Sequence, residues 1–194
     1  MKKAISIFIL LAIFLGLCAC GTQPSQPEET DERLDYTILD SGACTSTILW
    51  EIRSNNTLYI LGSGCTPNYH YNNTDGEKAP WLNSPMHQYI KNVYIGNGIT
   101  GIGKYNFYDS ILSSIRIGPN VVLWNFNNIY RVDTIYIPSC LSTVGDHLIA
   151  DIADVNNGRY CYTTIYYEGT EEEWYSMAMV GSIRYKEINF NSYE

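Results

Sequence analysis

The amino-acid sequence predicts a mostly β fold: a short repeat solenoid with an N-terminal β-hairpin cap, a short C-terminal helix and a final strand. Three observations carry this prediction. The same apolar pattern recurs in NVYIGNG at 92–98, SIRIGPN at 114–120 and TIYIPSC at 134–140. A segment with alternating apolar residues, TILWEIRSNNTLYILG, precedes these repeats. Near the C-terminus, GTEEEWYSM has the start signals of a helix.

The first twenty residues predict export. Lys2 and Lys3 precede an apolar run that is too short to span a bilayer but suits a secretory signal. The sequence LCAC at 17–20 resembles a bacterial lipobox, in which a small residue precedes the modified cysteine. We therefore expect a signal peptide over 1–19 and a lipid on Cys20, which would anchor the protein on the extracytoplasmic face of a bacterial cell membrane. An ordinary signal peptide with two incidental cysteines is the alternative.

Composition separates a tether from a domain. Residues 20–35 hold prolines, acids and little to bury, so we expect a disordered acidic tether. Residues 36–194 are long enough for one domain with its own core. Removal of the signal would lower the formal net charge from −8 to −10, because Lys2 and Lys3 are lost. This acidity argues against nucleic acid and anionic lipid as partners.

The segment 41–65 is predicted to be a hairpin cap. Ile48, Trp50 and Ile52 alternate with other side chains, and Leu58 and Ile60 alternate on the return strand. Asn56 tolerates the left-handed conformation that a short loop requires. A hairpin at this position would cover the first repeat, whose core and strand edge are otherwise exposed.

The repeats fit the leucine-rich pattern L-x-x-L-x-L, in which the last apolar pair lies on a short strand and faces the core. One such unit cannot bury its apolar side alone, so each strand needs neighbours. The central residues are 22, 20, 30 and 23 positions apart, and the long interval holds an insertion at 150–160. The predicted triplets are Ile90, Val93 and Ile95; Leu112, Ile115 and Ile117; Val132, Ile135 and Ile137; Tyr162, Ile165 and Tyr167; and Tyr185, Ile188 and Phe190.

A capping box predicts the helix. Thr170 is followed three residues later by Glu173, and three glutamates lie at the positive end of the predicted helix. We interpret these acids as helix-start residues rather than as acid–base catalysts. Trp174 and Met177 share one helical face and are expected to pack on the last repeats.

Several of these motifs together resemble one family. They are SGACTSTILWEIRSNNTLYILGSG, the pair Pro80-Trp81, IGNGITGIGKYNFYDS and IYYEGTEEEW. Over residues 41–191 the chain resembles the BspA-like leucine-rich repeat surface proteins of bacteria. The resemblance implies an exported, surface-attached protein linked to adhesion or host contact. The chain departs from the family pattern at Asn106, where alanine is usual, and at Ser110, where cysteine is frequent.

Motifs for catalysis are weak. The segment 96–101 matches G-x-G-x-x-G literally, but neither a helix nor an acid about twenty residues on supports a dinucleotide site. His70, His87 and His147 lack metal-ligand spacing. A hydrolase of envelope glycans would need paired carboxylates, which the pattern does not place. We therefore expect no enzyme, no cofactor and no metal.

The loop at 66–81 has two interpretations. Its aromatic residues could stack on a sugar while its polar residues supply hydrogen bonds, or it is an ordinary surface loop that Trp81 anchors to the first repeat. The second is favoured because loops of this composition are common. The residues of the first interpretation are Tyr69, His70, Tyr71 and Trp81, with Asn72, Asn73 and Asp75.

Cys44 and Cys65 are a candidate disulfide pair, because they are symmetric about the hairpin turn and an exported chain permits disulfides. The apolar alternation favours a register one residue off, which points the two side chains to opposite faces. Glycines at 62 and 64 could loosen the strand, so both alternatives stay open. Pairing of Cys140 with Cys161 is less favoured, because they lie at opposite ends of neighbouring parallel strands.

The predicted working surface lies between the core positions. In each repeat strand the middle residue points away from the core, and parallel stacking would align these residues in one column. They are Tyr94, Arg116, Tyr136, Tyr166 and Asn189. Tyrosine and arginine are frequent in binding hot spots, although aromatic residues also simply favour strands. The sequence thus predicts a lipid-anchored binding or adhesion protein for an extracellular protein or glycan. The alternative is a structural spacer or assembly component of the cell envelope.

Overall fold

The computed structural model of the chain describes residues 36–70, 77–122, 129, 131–141, 163–176 and 186–192. Tyr36–Glu194 forms a compact unit. Within the described residues the fold is mostly β, with a multistranded sheet and little helix, as predicted. The signal peptide, Cys20, the tether, Tyr162, Met177, Tyr185 and the insertion at 150–160 lie outside the described residues.

Ten strands and one α-helix are described. The strands are β1 Ile38–Ala43, β2 Ile48–Arg53, β3 Thr57–Gly62, β4 Gly64–Cys65, β5 Asn92–Ile95, β6 Ile99–Gly101, β7 Ile111–Arg116, β8 Arg131–Ile137, β9 Thr164–Tyr167 and β10 Glu187–Phe190. Helix α1 is Glu171–Ser176, and two 3-10 turns are Pro80–Leu82 and His87–Tyr89. Eight strands form one sheet in the order β1-β2-β3-β5-β7-β8-β9-β10, and β4 pairs with β6.

The predicted hairpin is formed by β2 and β3. These strands pair antiparallel with Trp50 opposite Ile60, and Asn56 has the expected left-handed conformation, with a φ of 60°. A further strand, β1, pairs antiparallel with β2 and was not predicted. Gly42 of β1 is required there, because a Cβ at this position would lie 2.9 Å from Trp50 Nε1.

Strand β3 also belongs to the parallel part of the sheet. Leu58 lies opposite Val93 and Ile60 opposite Ile95, in the register of the repeats themselves. The return strand of the cap therefore acts as the first repeat strand, and no separate cap layer intervenes. A turn glycine fits this close stacking: a Cβ on Gly118 would lie 2.6 Å from the carbonyl oxygen of Gly96 in the preceding repeat.

The predicted register of the repeats is confirmed. Ile115 lies opposite Val93 on one side and Ile135 on the other, and Ile165 lies opposite Ile135 and Ile188. The exposed fraction of the first four of these side chains is between 0 and 2%. Burial on this scale stabilises by about 2 kcal/mol for each aliphatic side chain. One continuous core thus runs along the sheet, on the side opposite the predicted column.

The capping box at the helix start is also confirmed. The backbone N–H of Thr170 donates to Glu173 Oε2 at 2.7 Å, and the N–H of Glu173 donates to Thr170 Oγ1 at 3.2 Å. Trp174 is fully buried, with its ring centroid 5.2 Å from that of Tyr167. Helix α1 is therefore held by its cap and by one tryptophan that packs on strand β9.

Candidate binding face

The parallel register aligns six side chains across six strands. Tyr59 lies opposite Tyr94, Tyr94 opposite Arg116, Arg116 opposite Tyr136, Tyr136 opposite Tyr166 and Tyr166 opposite Asn189. We call this set the tyrosine–arginine column. The predicted alignment of its last five members is confirmed, and these five are half-buried. Their role in binding stays a prediction.

Side chains in the middle of the column stack on one another. The rings of Tyr136 and Tyr166 have centroids 5.1 Å apart and an interplanar angle of 19°. The guanidinium carbon of Arg116 lies 5.2 Å from the centroid of Tyr136. Tyr136 is thus contacted by an aromatic ring from one neighbouring strand and by a cation from the other. Such stacked and cation–π contacts each contribute about 0.5–1.5 kcal/mol.

Tyr59, at the N-terminal end of the column, is covered by a neighbouring side chain. Tyr59 is only 7% exposed, because the guanidinium carbon of Arg53 lies 4.3 Å from its ring centroid. Arg53 in turn forms an ion pair with Glu51 at 2.6 Å. Asn55 Nδ2 donates to the hydroxyl of Tyr59 at 3.0 Å. Tyr59 therefore supports the ring of Tyr94, 5.5 Å away, rather than offering free surface.

Sequence reasoning missed Tyr59 because it assigned β3 to the cap alone. The signal was present: TLYILG at 57–62 places a tyrosine between two buried aliphatic residues, as NVYIGN does at 92–97. Reading the hairpin's second strand against the repeat pattern would have found it.

A second, polar column lies beside the first on the same face. Ser114 Oγ donates to Asn92 Oδ1 at 2.8 Å, which ties β5 to β7 at this level. Its side chains are short and uncharged on the first five strands, and the last strand contributes a glutamate. The members, in strand order, are Thr57, Asn92, Ser114, Thr134, Thr164 and Glu187.

The sugar-stacking interpretation of the 66–81 loop is wrong for Trp81 and Tyr69, because both side chains are buried. Trp81 is fully buried, stacks on Phe107 with centroids 6.2 Å apart, and donates its Nε1–H to the backbone oxygen of Asn106 at 2.7 Å. Tyr69 is 7% exposed and meets Trp81 edge-on at 6.0 Å. Trp81 thus anchors the loop to the first repeat, as the favoured interpretation predicted. His70 is exposed, and Tyr71, Asn72, Asn73 and Asp75 lie outside the described residues.

Cys44 and Cys65 are free thiols, so the candidate disulfide is not formed in the structure. The physical reason is the strand register: Ile48 pairs with Gly62, and the chain then leaves the hairpin so that Cys65 lies opposite Gly101 in the small second sheet. Burial raises the pKa of both thiols above the usual value for cysteine. Cys140 Sγ donates to the backbone oxygen of Pro119 at 3.1 Å, and Cys161 lies outside the described residues.

The described residues contain neither a metal-binding cluster nor a membrane-spanning helix. No group of three or more His, Cys, Asp or Glu side chains is placed to hold a metal ion in this part of the chain. Among the same residues, no helix has the length and apolar character needed to cross a membrane.

No model of a protein family matches the sequence, and no curated protein matches it. The structure is similar to the crystal structure of a leucine-rich repeat protein from Eubacterium ventriosum ATCC 27560, with 16% sequence identity and a TM-score of 0.42. The similarity covers 65% of this chain and 44% of that chain. The chain thus spans less than half the length of this relative.

Proposed function

We propose that this chain is a short leucine-rich-repeat solenoid of the BspA-like kind that binds an extracellular protein through the tyrosine–arginine column. In this proposal residues 1–19 direct export, Cys20 carries the lipid anchor, and binding rather than catalysis is the activity. The observation that carries the proposal is the strand register, which gathers three tyrosines and an arginine in one half-buried row. These residue types dominate binding hot spots.

The stacking within the column favours a protein partner over a glycan. A sugar binds an aromatic side chain by lying flat on an open ring face. Tyr136 has Arg116 on one side and Tyr166 stacked on the other, so a flat sugar has no room there. The ring edges and the phenol hydroxyls are what such a stack presents, and a protein surface pairs with these through hydrogen bonds and edge contacts.

The composition of the same face supports binding rather than hydrolysis. Hydrolysis of a glycan requires two carboxyl groups about 5–10 Å apart across the scissile bond. The tyrosine–arginine column contains no acid from Tyr94 to Asn189, and the polar column contains only Glu187.

Binding to immobilised partners separates the candidate functions. The soluble unit Tyr36–Glu194 is applied to a glycan array and to intact cells before and after protease treatment of the cell surface. The proposal predicts cell binding that protease abolishes, with no signal on the array. Binding to the array, together with cell binding that survives protease, would assign a glycan partner instead. Absence of binding in both arms would favour the spacer role.

A further inference from the structure

A cavity of about 340 Å³ lies at the N-terminal ends of β3, β5 and β7. Its walls come from the two 3-10 turns, from the residues that lead into β5, and from the turn before β7. None of its lining residues belongs to the tyrosine–arginine column. Ligand cavities of proteins span about 300–1,000 Å³, so this one suits a ligand the size of a single ring with a small substituent.

The cavity floor is apolar. Its accessible apolar surface includes Ile111, which is 54% exposed, and the half-buried side chains of Leu82 and Tyr108. A purely charged ion would gain nothing from such a floor, whereas the body of an organic molecule would bury apolar surface on it.

The rim is basic, in contrast to the rest of the chain. Lys78, Lys91, His70 and His87 line the cavity, and Asp109 is the single acid among the described residues that line it. The whole chain has 12 lysines and arginines against 20 acids. The balance of charge is thus reversed at this cavity. A ligand with negative charge would be attracted here and repelled by most of the remaining surface.

Hydrogen bonds fix the positions from which these side chains project. The backbone N–H of Lys91 donates to the oxygen of Asn56 at 2.9 Å, and its carbonyl accepts from the N–H of Ser113 at 2.6 Å. His87 Nδ1 lies 3.2 Å from the backbone oxygen of Ser84, and the buried hydroxyl of Ser84 donates to Asp40 Oδ2. The turn that carries His87 is therefore tied to β1, and Lys91 is tied to the turn before β3 and to β7.

We propose that this cavity binds a small organic anion, a carboxylate on a single-ring apolar body. The apolar floor takes the ring, and the lysine ammonium groups take the carboxylate as charge-assisted hydrogen-bond donors. The site is independent of the column proposed above to dock a protein.

The test is an amide NMR titration of the unit Tyr36–Glu194 with benzoate and with benzamide, which has the same ring but no charge. Benzoate should bind at least about tenfold more tightly than benzamide, a ratio of the size expected for a charge-assisted contact. The amides that shift should be those of Lys91, Ser110 and Leu112, which line the cavity. Added salt should weaken the binding of benzoate but not of benzamide.

Three variants complete the test. Lys78→Gln together with Lys91→Gln should weaken benzoate binding at least about tenfold. Lys78→Arg with Lys91→Arg should retain binding, because the charge stays. Lys104→Gln, an exposed lysine outside the cavity, is the matched control and should bind as wild type does. Equal affinity for benzamide, an unaffected Lys78/Lys91 glutamine variant, or shifts confined to other amides would overturn the proposal. So would the absence of any shift at about 20 mM benzoate.

Discussion

The guanidinium carbon of Arg116 lies 5.2 Å from the ring centroid of Tyr136 on the neighbouring strand. Because the two residues are direct partners in the β7–β8 register, the contact follows from strand alignment and needs no loop to position it. Tyr166 stacks on Tyr136 from strand β9. The three side chains therefore hold each other in place on the open face of the sheet, which would lower the entropy cost of the proposed binding.

The core register predicts a large effect at Ile117. This residue is 1% exposed, so Ile117→Asp would bury a carboxylate among aliphatic side chains. The cost should be several kcal/mol, comparable with the whole stability of a domain. Ile111→Asp is the matched control, since Ile111 is the first residue of β7, the strand that Ile117 directly follows, but is 54% exposed. Thermal melting should show an unfolded Ile117 variant and a nearly unchanged Ile111 variant, and equal melting of the two would contradict the register.

Asn106 should be structural, although alanine is usual at this position in the family that the chain resembles. Its side chain is fully buried, and Nδ2 donates to the carbonyls of Gly103 at 2.8 Å and Pro67 at 3.0 Å. Asn106→Ala should lower the free energy of unfolding by about 1–3 kcal/mol, because both carbonyls lose this donor.

Asn120→Ala is the control for that substitution. Asn120 is exposed and makes one such bond, from Nδ2 to the oxygen of Asn97 at 2.7 Å. Denaturant unfolding should show less than about 1 kcal/mol of change for this variant. An Asn106 variant as stable as wild type would mean that the buried amide contributes nothing to the fold.

The burial of Tyr69 predicts an alkaline loss of stability. Burial, with the neighbouring Cys44 thiol adding to it, raises the pKa of Tyr69 well above its usual value. The folded state therefore keeps its proton after the unfolded chain has lost it. This contribution to stability is complete below about pH 10 and is lost as the pH rises above it, at up to about 1.4 kcal/mol per pH unit.

Tyr69→Phe removes that titration, so its free energy of unfolding should fall less steeply between pH 9.5 and 11.5 than that of wild type. Tyr175→Phe is the control, because Tyr175 is 64% exposed. Its alkaline slope should equal the wild-type slope. A Tyr69 variant with the wild-type slope would show that another group governs the alkaline transition.

The proposed lipid anchor predicts a modified N-terminus. Cys20 should begin the mature chain and carry the lipid, because Ala19 supplies the small residue before the cleavage point. Mass spectrometry of the protein recovered from bacterial membranes checks this. Cys20→Ser should leave the protein without the lipid mass, and a wild-type chain that begins elsewhere or has an unmodified Cys20 would refute the assignment.

Much of the fold was predictable because each repeat strand must bury the same inward pair. Because of that requirement, Val93, Ile115 and Ile135 recur at a regular period in the sequence, and they pair in the structure as expected. The turn at Asn56 and the cap at Thr170 could also be predicted, because the residues that form each of them lie within a few positions of each other in the sequence.

Other features were not predictable, because their causes lie far apart in the sequence. Strand β1 is largely exposed, with Ile38 at 49% and Leu39 at 45%, so it has no apolar alternation to reveal it. The double role of β3 depends on its pairing with β5, more than thirty residues away. The cavity unites His70 with Lys91 and Ser110 only after the chain has folded. The tyrosine–arginine column could be predicted on the strands that follow the regular repeat period. Tyr59 was missed because its strand also forms the hairpin.

The most direct test of the binding face is the triple variant Tyr94→Ala, Arg116→Ala and Tyr136→Ala, measured for affinity to protein-bearing cells alongside its melting temperature. The matched control replaces Tyr89, Arg131 and Tyr175 by alanine, the same residue types at exposed positions outside the column. We expect at least about 100-fold weaker binding for the column variant, with both variants folded and the control binding as wild type does. Unchanged binding by a folded column variant would show that the tyrosine–arginine column does not bind the partner.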